Sequence, residues 1–145
     1  TDFSKVIDLC ASAGSRFEDT WIDQKMQKAY GRLHASGVAH SVSVYDLQGQ
    51  LLAGLYGIAL GKVFFGESMF TLRPNLSKLA FIGLVKLLIK NEFELIDCQV
   101  ETNHLNSLGA RNITRSEFEA YLKRYVKSGN PFKKLNFQID LSEFN

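Results

Sequence analysis

Cysteine, proline and tryptophan are scarce in this chain of 145 residues, which contains two, two and one of them respectively. The two cysteines, Cys10 and Cys98, are too few for a disulfide framework and too few to build a metal cluster alone. We therefore expect no metal site. A chain with so few thiols fits most easily in a reducing compartment, so we expect a cytoplasmic protein.

Long apolar runs are also lacking. No uninterrupted apolar stretch reaches the roughly 18 residues of a transmembrane candidate, and residues 1–5 lack the basic and then apolar pattern of a signal peptide. We therefore expect no membrane partner. The chain begins at Thr1 rather than at methionine, which is typical of a processed product or of a piece of a longer protein.

The composition that remains is that of an ordinary globular protein, 46% hydrophobic and 22% charged. This length predicts a single domain over residues 1–145 with a substantial core. The net charge is only +2, but seven basic residues share a stretch with two acidic ones. They are Arg111, Arg115, Lys123, Arg124, Lys127, Lys133 and Lys134. A solvated face and a surface for an anionic partner, such as a nucleic-acid backbone, both explain this stretch.

The first half of the chain predicts one helix and then a three-stranded meander. The helix starts at Thr20, with Asp23 as an approximate capping-box partner, and stops at Gly37. Its apolar face comprises Ile22, Met26, Ala29, Tyr30 and Leu33. The three strands are predicted at residues 41–45, 51–59 and 63–65.

The second half predicts helices that pack on this sheet. A helix over Leu76–Lys90, capped by Asn75, carries a wide apolar stripe. A strand over residues 93–100 is predicted to be central, because its apolar positions fall on both faces. The remaining predicted elements are a short helix over residues 102–108, a helix with a Thr114 and Glu117 capping box and a buried face of Phe118, Tyr121, Leu122 and Tyr125, and a strand over residues 136–139. The fold class is therefore α/β (α+β), with a mixed, mostly antiparallel sheet flanked by helices in an acyltransferase-like layout.

An acid and an amide stand two residues apart in the predicted strand over residues 93–100. Because side chains alternate along a strand, Asp97 and Gln99 are expected to share one face. Such groups are costly to bury on an apolar strand unless they are hydrogen-bonded. Two hypotheses explain them: Asp97 caps the neighbouring helix, or it is a general base held beside an orienting amide.

Other candidates are weaker. Glu67 and Ser68 lie among aromatic residues, in a pattern that a strand-end turn also shows. Trp21 and Tyr30 fit either core packing or stacking on a base or ring. Cys98 faces the predicted core, so we interpret it as a packing residue and not as a nucleophile.

The segment before the main helix argues against coenzyme A. Acetyl-CoA enzymes of this layout hold the pyrophosphate on a glycine-containing loop, whose free backbone N–H groups begin a helix. Residues 70–76 contain no glycine, and Pro74 removes one donor. Acetyl-CoA is therefore disfavoured, and we expect no cofactor.

Five short blocks occur in a recognisable order along the chain. They are Tyr56-Gly57, Phe65-Gly66-Glu67-Ser68-Met69-Phe70, Asn75 with Ser77-Lys78, Leu95-Ile96-Asp97-Cys98-Gln99, and His104 with Ser107-Leu108-Gly109-Ala110. Together they resemble the leucyl/phenylalanyl-tRNA–protein transferase family over roughly residues 6–125. The resemblance implies a GNAT-like fold and the transfer of Leu or Phe from aminoacyl-tRNA to the N-terminal Arg or Lys of an acceptor protein, which marks that protein for degradation as an N-degron.

The resemblance also implies residue roles. Asp97 would be the base, Gln99 would position the attacking amine or relay its proton, and Glu67 would orient substrate in the same site. The substrate-binding positions of the family correspond to Trp21, Tyr30, Leu55, Phe64, Ser68, Phe81, Leu88 and Ile96. Among these, Trp21 and Tyr30 match positions near the terminal adenosine and the aminoacyl group.

Two departures from the family are expected. The smaller N-terminal domain that helps to hold the tRNA end, and the first strand of the C-terminal domain, have no counterpart in the sequence. Two functions therefore stay open: an aminoacyltransferase, and a truncated, non-catalytic or weakly active relative that binds an N-terminal peptide or aminoacyl-tRNA.

Overall fold

A computed structural model describes residues 2–13, 22–129 and 136–140 of the chain. The elements within these residues are α1 (Phe3–Ser12), α2 (Gln24–Ala35), β1 (Ala39–Tyr45), β2 (Leu51–Leu60), β3 (Val63–Thr71), α3 (Leu76–Lys90), β4 (Leu95–Asp97), α4 (Asn103–Asn106), α5 (Arg115–Tyr125) and β5 (Asn136–Asp140). The described strands form one sheet in the order β4-β3-β2-β1-β5. The predicted α+β class, a mixed sheet flanked by helices, is confirmed.

The centre of the sheet is the predicted antiparallel meander of β1, β2 and β3. The two outer strands, β4 and β5, run parallel to their neighbours. The prediction of a long central strand over residues 93–100 was wrong, because β4 has three residues and lies at the edge. The backbone of Gln99 has a φ of 64°, which a strand cannot accommodate, so the chain turns there.

Each face of the sheet carries its own core. On one face the buried stripe of α3, which includes Ala80, Phe81 and Leu84, packs against the meander as predicted. Asn75 is the N-cap of α3, as predicted, and its backbone carbonyl accepts the N–H of Leu79 over 3.2 Å. Its side chain makes no capping hydrogen bond, and its φ is 67°. This face of the sheet carries the larger of the two clusters and holds the cavities described below.

The opposite face is covered by α1 and α2. The sequence interpretation missed α1, although its buried residues follow helical spacing at Phe3, Val6, Ile7, Cys10 and Ala11. The α2 helix begins at Gln24 and not at Thr20: Asp23 is its N-cap and accepts a 2.8 Å hydrogen bond from the N–H of Met26. Ala29 is exposed, which contradicts its place on the predicted apolar face, and Thr20 lies outside the described residues.

The two helices after β4 each begin at a threonine N-cap. Thr102 caps the short helix α4, and the predicted Thr114–Glu117 capping box begins α5. The predicted buried face of α5 is only half-buried, and Lys133 and Lys134 lie outside the described residues. The far end of α5 is tied to the β2–β3 turn, where Lys62 donates its N–H to the carbonyl of Tyr125 over 3.0 Å. Among the helices in the described ranges, none is both long and apolar enough to cross a membrane.

Candidate functional site

A β-bulge in β3 positions Glu67. The pairing of β3 with β2 matches Ser68 to Tyr56 and Gly66 to Gly57, so Glu67 is the extra residue between two paired ones. A bulge re-aims a side chain out of the regular alternation of the strand. The position of Glu67 is therefore set by an irregularity of the sheet. The sequence had left two interpretations of this segment open, a turn at a strand end and a functional site.

A tight turn brings Asp97 and Gln99 together. The Asp97 Oδ1 atom accepts a 2.8 Å hydrogen bond from the backbone N–H of Gln99, in the manner of an Asx turn. The expectation that the two side chains share one strand face was wrong, because Gln99 lies beyond the strand in the left-handed region. The helix-capping hypothesis for Asp97 is also contradicted, since α4 takes its cap from Thr102, whose Oγ1 accepts from the N–H of Leu105 over 3.1 Å.

The Gln99 side chain then connects this turn to the bulge. Its Nε2 atom donates to the Gly66 carbonyl over 2.8 Å and to the Glu67 Oε2 atom over 3.4 Å. Both partners are oxygen atoms that only accept hydrogen bonds, so the NH₂ group of the Gln99 amide must face them. The Gln99 carbonyl oxygen is therefore turned away from the bulge and can accept a hydrogen bond from another group.

Tyr30 supports Glu67 from the opposite face of the sheet. It is 7% exposed, and burial, together with a hydrogen bond to the Glu67 carboxylate and its charge, raises the pKa of the Tyr30 hydroxyl. Its ring meets the edge of Tyr56 at 5.0 Å and 73°. Burial likewise raises the pKa of Tyr56, with smaller contributions from Cys10, Tyr30 and Glu67. Both phenols thus stay neutral, and Tyr30 lies beneath Glu67 and not on an open surface.

An apolar cavity of about 480 Å³ lies beside Glu67, within the usual range for small-molecule sites. Its walls include six of the residues proposed from the resemblance, namely Leu55, Phe64, Glu67, Ser68, Phe81 and Ile96. The sequence did not single out Met69, Leu84 and Leu105, which also line it. Leu88 lies instead in the core, 2% exposed and one turn of α3 beyond Leu84. Trp21 lies outside the described residues.

A second, larger groove of about 850 Å³ lies against the same segment. Asp97 and Gln99 line it, and four residues are common to both cavities: Phe81, Ile96, Cys98 and Val100. Burial, followed by the charge of Asp97, raises the pKa of the Cys98 thiol. A thiol held in its protonated form is a poor nucleophile, which agrees with its interpretation as a packing residue.

Glu101 holds the outer wall of this groove. Its carboxylate accepts hydrogen bonds from the side chains of Asn106, over 2.9 Å, and Asn112, over 2.6 Å. These bonds lower the pKa of Glu101, so it is ionised at neutral pH. The sequence interpretation missed this brace, because three polar residues on exposed loops carry no periodic signal. Within the described ranges, no three His, Cys, Asp or Glu side chains are grouped so that they could hold a metal ion.

Comparison with known proteins identifies the family of this chain. The family model described as leucyl/phenylalanyl-tRNA protein transferase matches residues 1–123. Similar proteins of that name occur in Pseudomonas fluorescens, 53% identical over 86% of this chain and 55% of the relative, and in Pseudomonas paraeruginosa, 51% identical over 94% and 59%. A third, in Pseudomonas putida, is 50% identical over 90% of this chain and 57% of the relative. The chain thus spans a little over half the length of these relatives, and it belongs to the leucyl/phenylalanyl-tRNA–protein transferase family.

Proposed function

We propose that this chain is an aminoacyltransferase domain that moves Leu or Phe from aminoacyl-tRNA to the N-terminal Arg or Lys of an acceptor protein, as a degradation mark. The observation that carries the proposal is the hydrogen-bonded line of Asp97, Gln99 and Glu67 beside the apolar cavity. The names of the relatives, which describe a transferase acting with tRNA and protein, support it. A GNAT-like fold and a cytoplasmic location complete the proposal.

The reaction needs no covalent nucleophile from the protein. The aminoacyl ester is already activated, and an α-amine with a pKa near 7.7–8.0 is roughly one-tenth neutral at pH 7. The amine nitrogen attacks the ester carbonyl carbon, a C–N bond forms, and the ester C–O bond breaks. The amine loses a proton and the ribose hydroxyl gains one. Orientation of the amine and removal of its proton are therefore the main tasks.

The three polar residues divide these tasks. The Gln99 carbonyl oxygen, turned away from the bulge, accepts a hydrogen bond from the attacking amine. Asp97 is the base that takes the proton of the amine, and one of its oxygens also accepts the Gln99 N–H. Glu67 adds negative charge beside Gln99, which favours a cationic acceptor residue. The Tyr30 hydroxyl contributes a polar partner to the Glu67 carboxylate.

The apolar cavity takes the side chain of the transferred amino acid. Leu55, Phe64 and Ile96 offer no partner for a charged group, so a charged side chain buried among them would lose its hydration without compensation. Shape alone separates one apolar residue from another, and such discrimination is modest. The core residue Leu88 packs behind the cavity wall and so supports its shape. The role that the resemblance implies for Trp21, contact with the terminal adenosine, is part of the proposal.

The test is a transfer assay with the full chain, labelled leucyl-tRNA and a peptide that begins with Arg. We expect transfer by the wild type and a 10²- to 10⁴-fold loss in Asp97→Ala, roughly the contribution of a general base. Asp97→Asn is the matched variant that separates loss of the base from loss of the turn. It retains an oxygen that can accept from the Gln99 N–H and removes only the basic charge.

Undiminished transfer in Asp97→Ala would refute the assigned base. Tight binding of the Arg peptide with no transfer at high tRNA concentration would instead identify a non-catalytic binding domain.

A further inference from the structure

We propose that the 850 Å³ groove binds the acceptor polypeptide downstream of its N-terminal residue, and that it favours a positively charged segment there. The groove is bounded by β4 and residues 98–101 on one side and by residues 106–121 on the other. This inference rests on the proposed aminoacyl transfer, because it assigns the path that the bound acceptor chain follows away from its N-terminal residue.

The groove is continuous with the proposed catalytic residues. Asp97 and Gln99 line it, whereas Glu67 and Ser68 line the apolar cavity. The shared wall includes Val100, which is 66% exposed and forms the ridge between the two. A transferred side chain in the smaller cavity and an acceptor chain in the larger groove would therefore meet at residues 97–99.

The charges of the groove favour a cationic chain over a phosphate backbone. Its walls carry three carboxylates, on Glu94, Asp97 and Glu101, and two guanidinium groups, on Arg111 and Arg115. The Arg115 group is already paired with the Glu119 carboxylate over 3.0 Å. The excess is therefore negative, which repels RNA and attracts basic side chains.

The wall made by Glu101 is held in a fixed position. Its two oxygens are bound by Asn106 on α4 and Asn112 in the loop before α5, so one carboxylate joins three segments of the chain. An ionised carboxylate fixed in this way attracts a passing cation at little additional cost in conformational entropy.

The edge of the sheet offers a second kind of contact. β4 is the outermost strand at one side of the described sheet, and Glu94 donates its N–H to the backbone carbonyl of Lys62, just before β3, over 2.9 Å. Because backbone groups alternate along a strand, those of Leu95 point to the outer edge, where the groove lies. An extended peptide can add to such an edge through its backbone, with no demand on its sequence.

The test measures binding and needs no turnover. Two fluorescein-labelled peptides begin Arg-Ala and continue with Lys-Lys or with Glu-Glu at positions three and four. Fluorescence anisotropy with the full chain should give about tenfold tighter binding of the Lys-Lys peptide, as expected for a few partly exposed charge pairs. The double variant Glu94→Gln and Glu101→Gln should reduce this ratio to near one.

Glu92→Gln is the matched control. Glu92 carries the same charge two residues before Glu94 and pairs with Lys62 over 3.2 Å outside the groove. This variant should keep the wild-type ratio. Glu101→Gln retains one of the two oxygens that hold the brace, and thermal unfolding of the double variant checks that the fold survives.

Three results would overturn the inference: equal binding of the two peptides by the wild type, a ratio that persists in the double variant, or displacement of the Lys-Lys peptide by a tRNA acceptor-stem hairpin whose own binding tightens in that variant. The last result would assign the groove to RNA.

A photo-crosslinker at position five of the Lys-Lys peptide, after the two lysines, should label residues 106–121. Failure of the transfer assay with the binding ratio intact would refute the proposed function alone.

Discussion

The side-chain amide of Gln99 donates to the carboxylate of Glu67 across 3.4 Å, although the two residues are 32 positions apart in the chain. Each lies at an irregularity, Glu67 in the bulge of β3 and Gln99 in the left-handed turn after β4. Gln99 also binds the Gly66 carbonyl over 2.8 Å, so the bulge and the turn stabilise one another. The candidate site is therefore built where two strands depart from regular geometry.

The hydroxyl of Tyr30 is expected to matter more than that of Tyr56. Tyr30→Phe removes a hydrogen bond to a carboxylate, which should lower the free energy of unfolding by about 1.5–3 kcal/mol and weaken transfer. Tyr56→Phe is the matched control, because its buried hydroxyl has no hydrogen-bond partner among the described residues. Urea unfolding and the transfer assay should show a near-neutral Tyr56→Phe. Equal effects of the two changes would contradict the assigned role of Tyr30.

The wall of the apolar cavity should set amino-acid preference. Phe81→Leu shortens a side chain that lines the cavity, so the ratio of kcat/KM for Phe over Leu should rise by up to about tenfold. Leu88→Val removes one methylene from the core behind the wall and should cost about 1 kcal/mol of stability with little change in preference. Competition between leucyl-tRNA and phenylalanyl-tRNA measures both. A larger shift in Leu88→Val than in Phe81→Leu would place Leu88 in the pocket.

Gly57 is expected to tolerate no side chain. A Cβ atom at this position would lie 2.6 Å from the Phe64 ring and would also strike the Phe65 carbonyl. Gly57→Ala should therefore displace Phe64 from the cavity wall and cost about 1–3 kcal/mol or more. Gly66→Ala is the control, since its Cβ would meet the Asp97 carbonyl at an ordinary 3.4 Å. Thermal unfolding compares them, and an equally stable Gly57→Ala would show that the strands can separate there.

Acid should loosen the start of α5. The backbone N–H and side chain of Thr114, and the nearby Arg111, lower the pKa of Glu117 from its usual value of 4.5. A lowered native pKa adds stability at higher pH, and this contribution is lost as the pH falls through the native pKa. Carboxyl NMR titration should place the pKa of Glu117 below 4.5, and Thr114→Ala should raise it part of the way back. An unchanged pKa in that variant would remove the side chain of Thr114 as a cause.

Local chemistry made several elements predictable. The α3 stripe and the Thr114–Glu117 capping box depend on neighbouring residues, and both are present in the structure. The same kind of signal was available for α1 in Phe3, Val6, Ile7 and Cys10 and was missed. The edge position of β4 was not readable, because apolar residues facing a core on one side and a cavity on the other look the same in sequence as a strand covered on both faces.

The sequence by itself determined the family and the fold class, and it singled out Asp97, Gln99 and Glu67 as candidate site residues, because short blocks of residues carry that information. The tertiary structure alone decided how those residues meet. It replaced strand alternation by a bulge and a turn, placed Tyr30 beneath Glu67, and moved Leu88 from the cavity wall into the core. The physical reason is that hydrogen bonds across 32 positions, and the shape of a cavity between packed elements, depend on long-range pairing that no local pattern encodes.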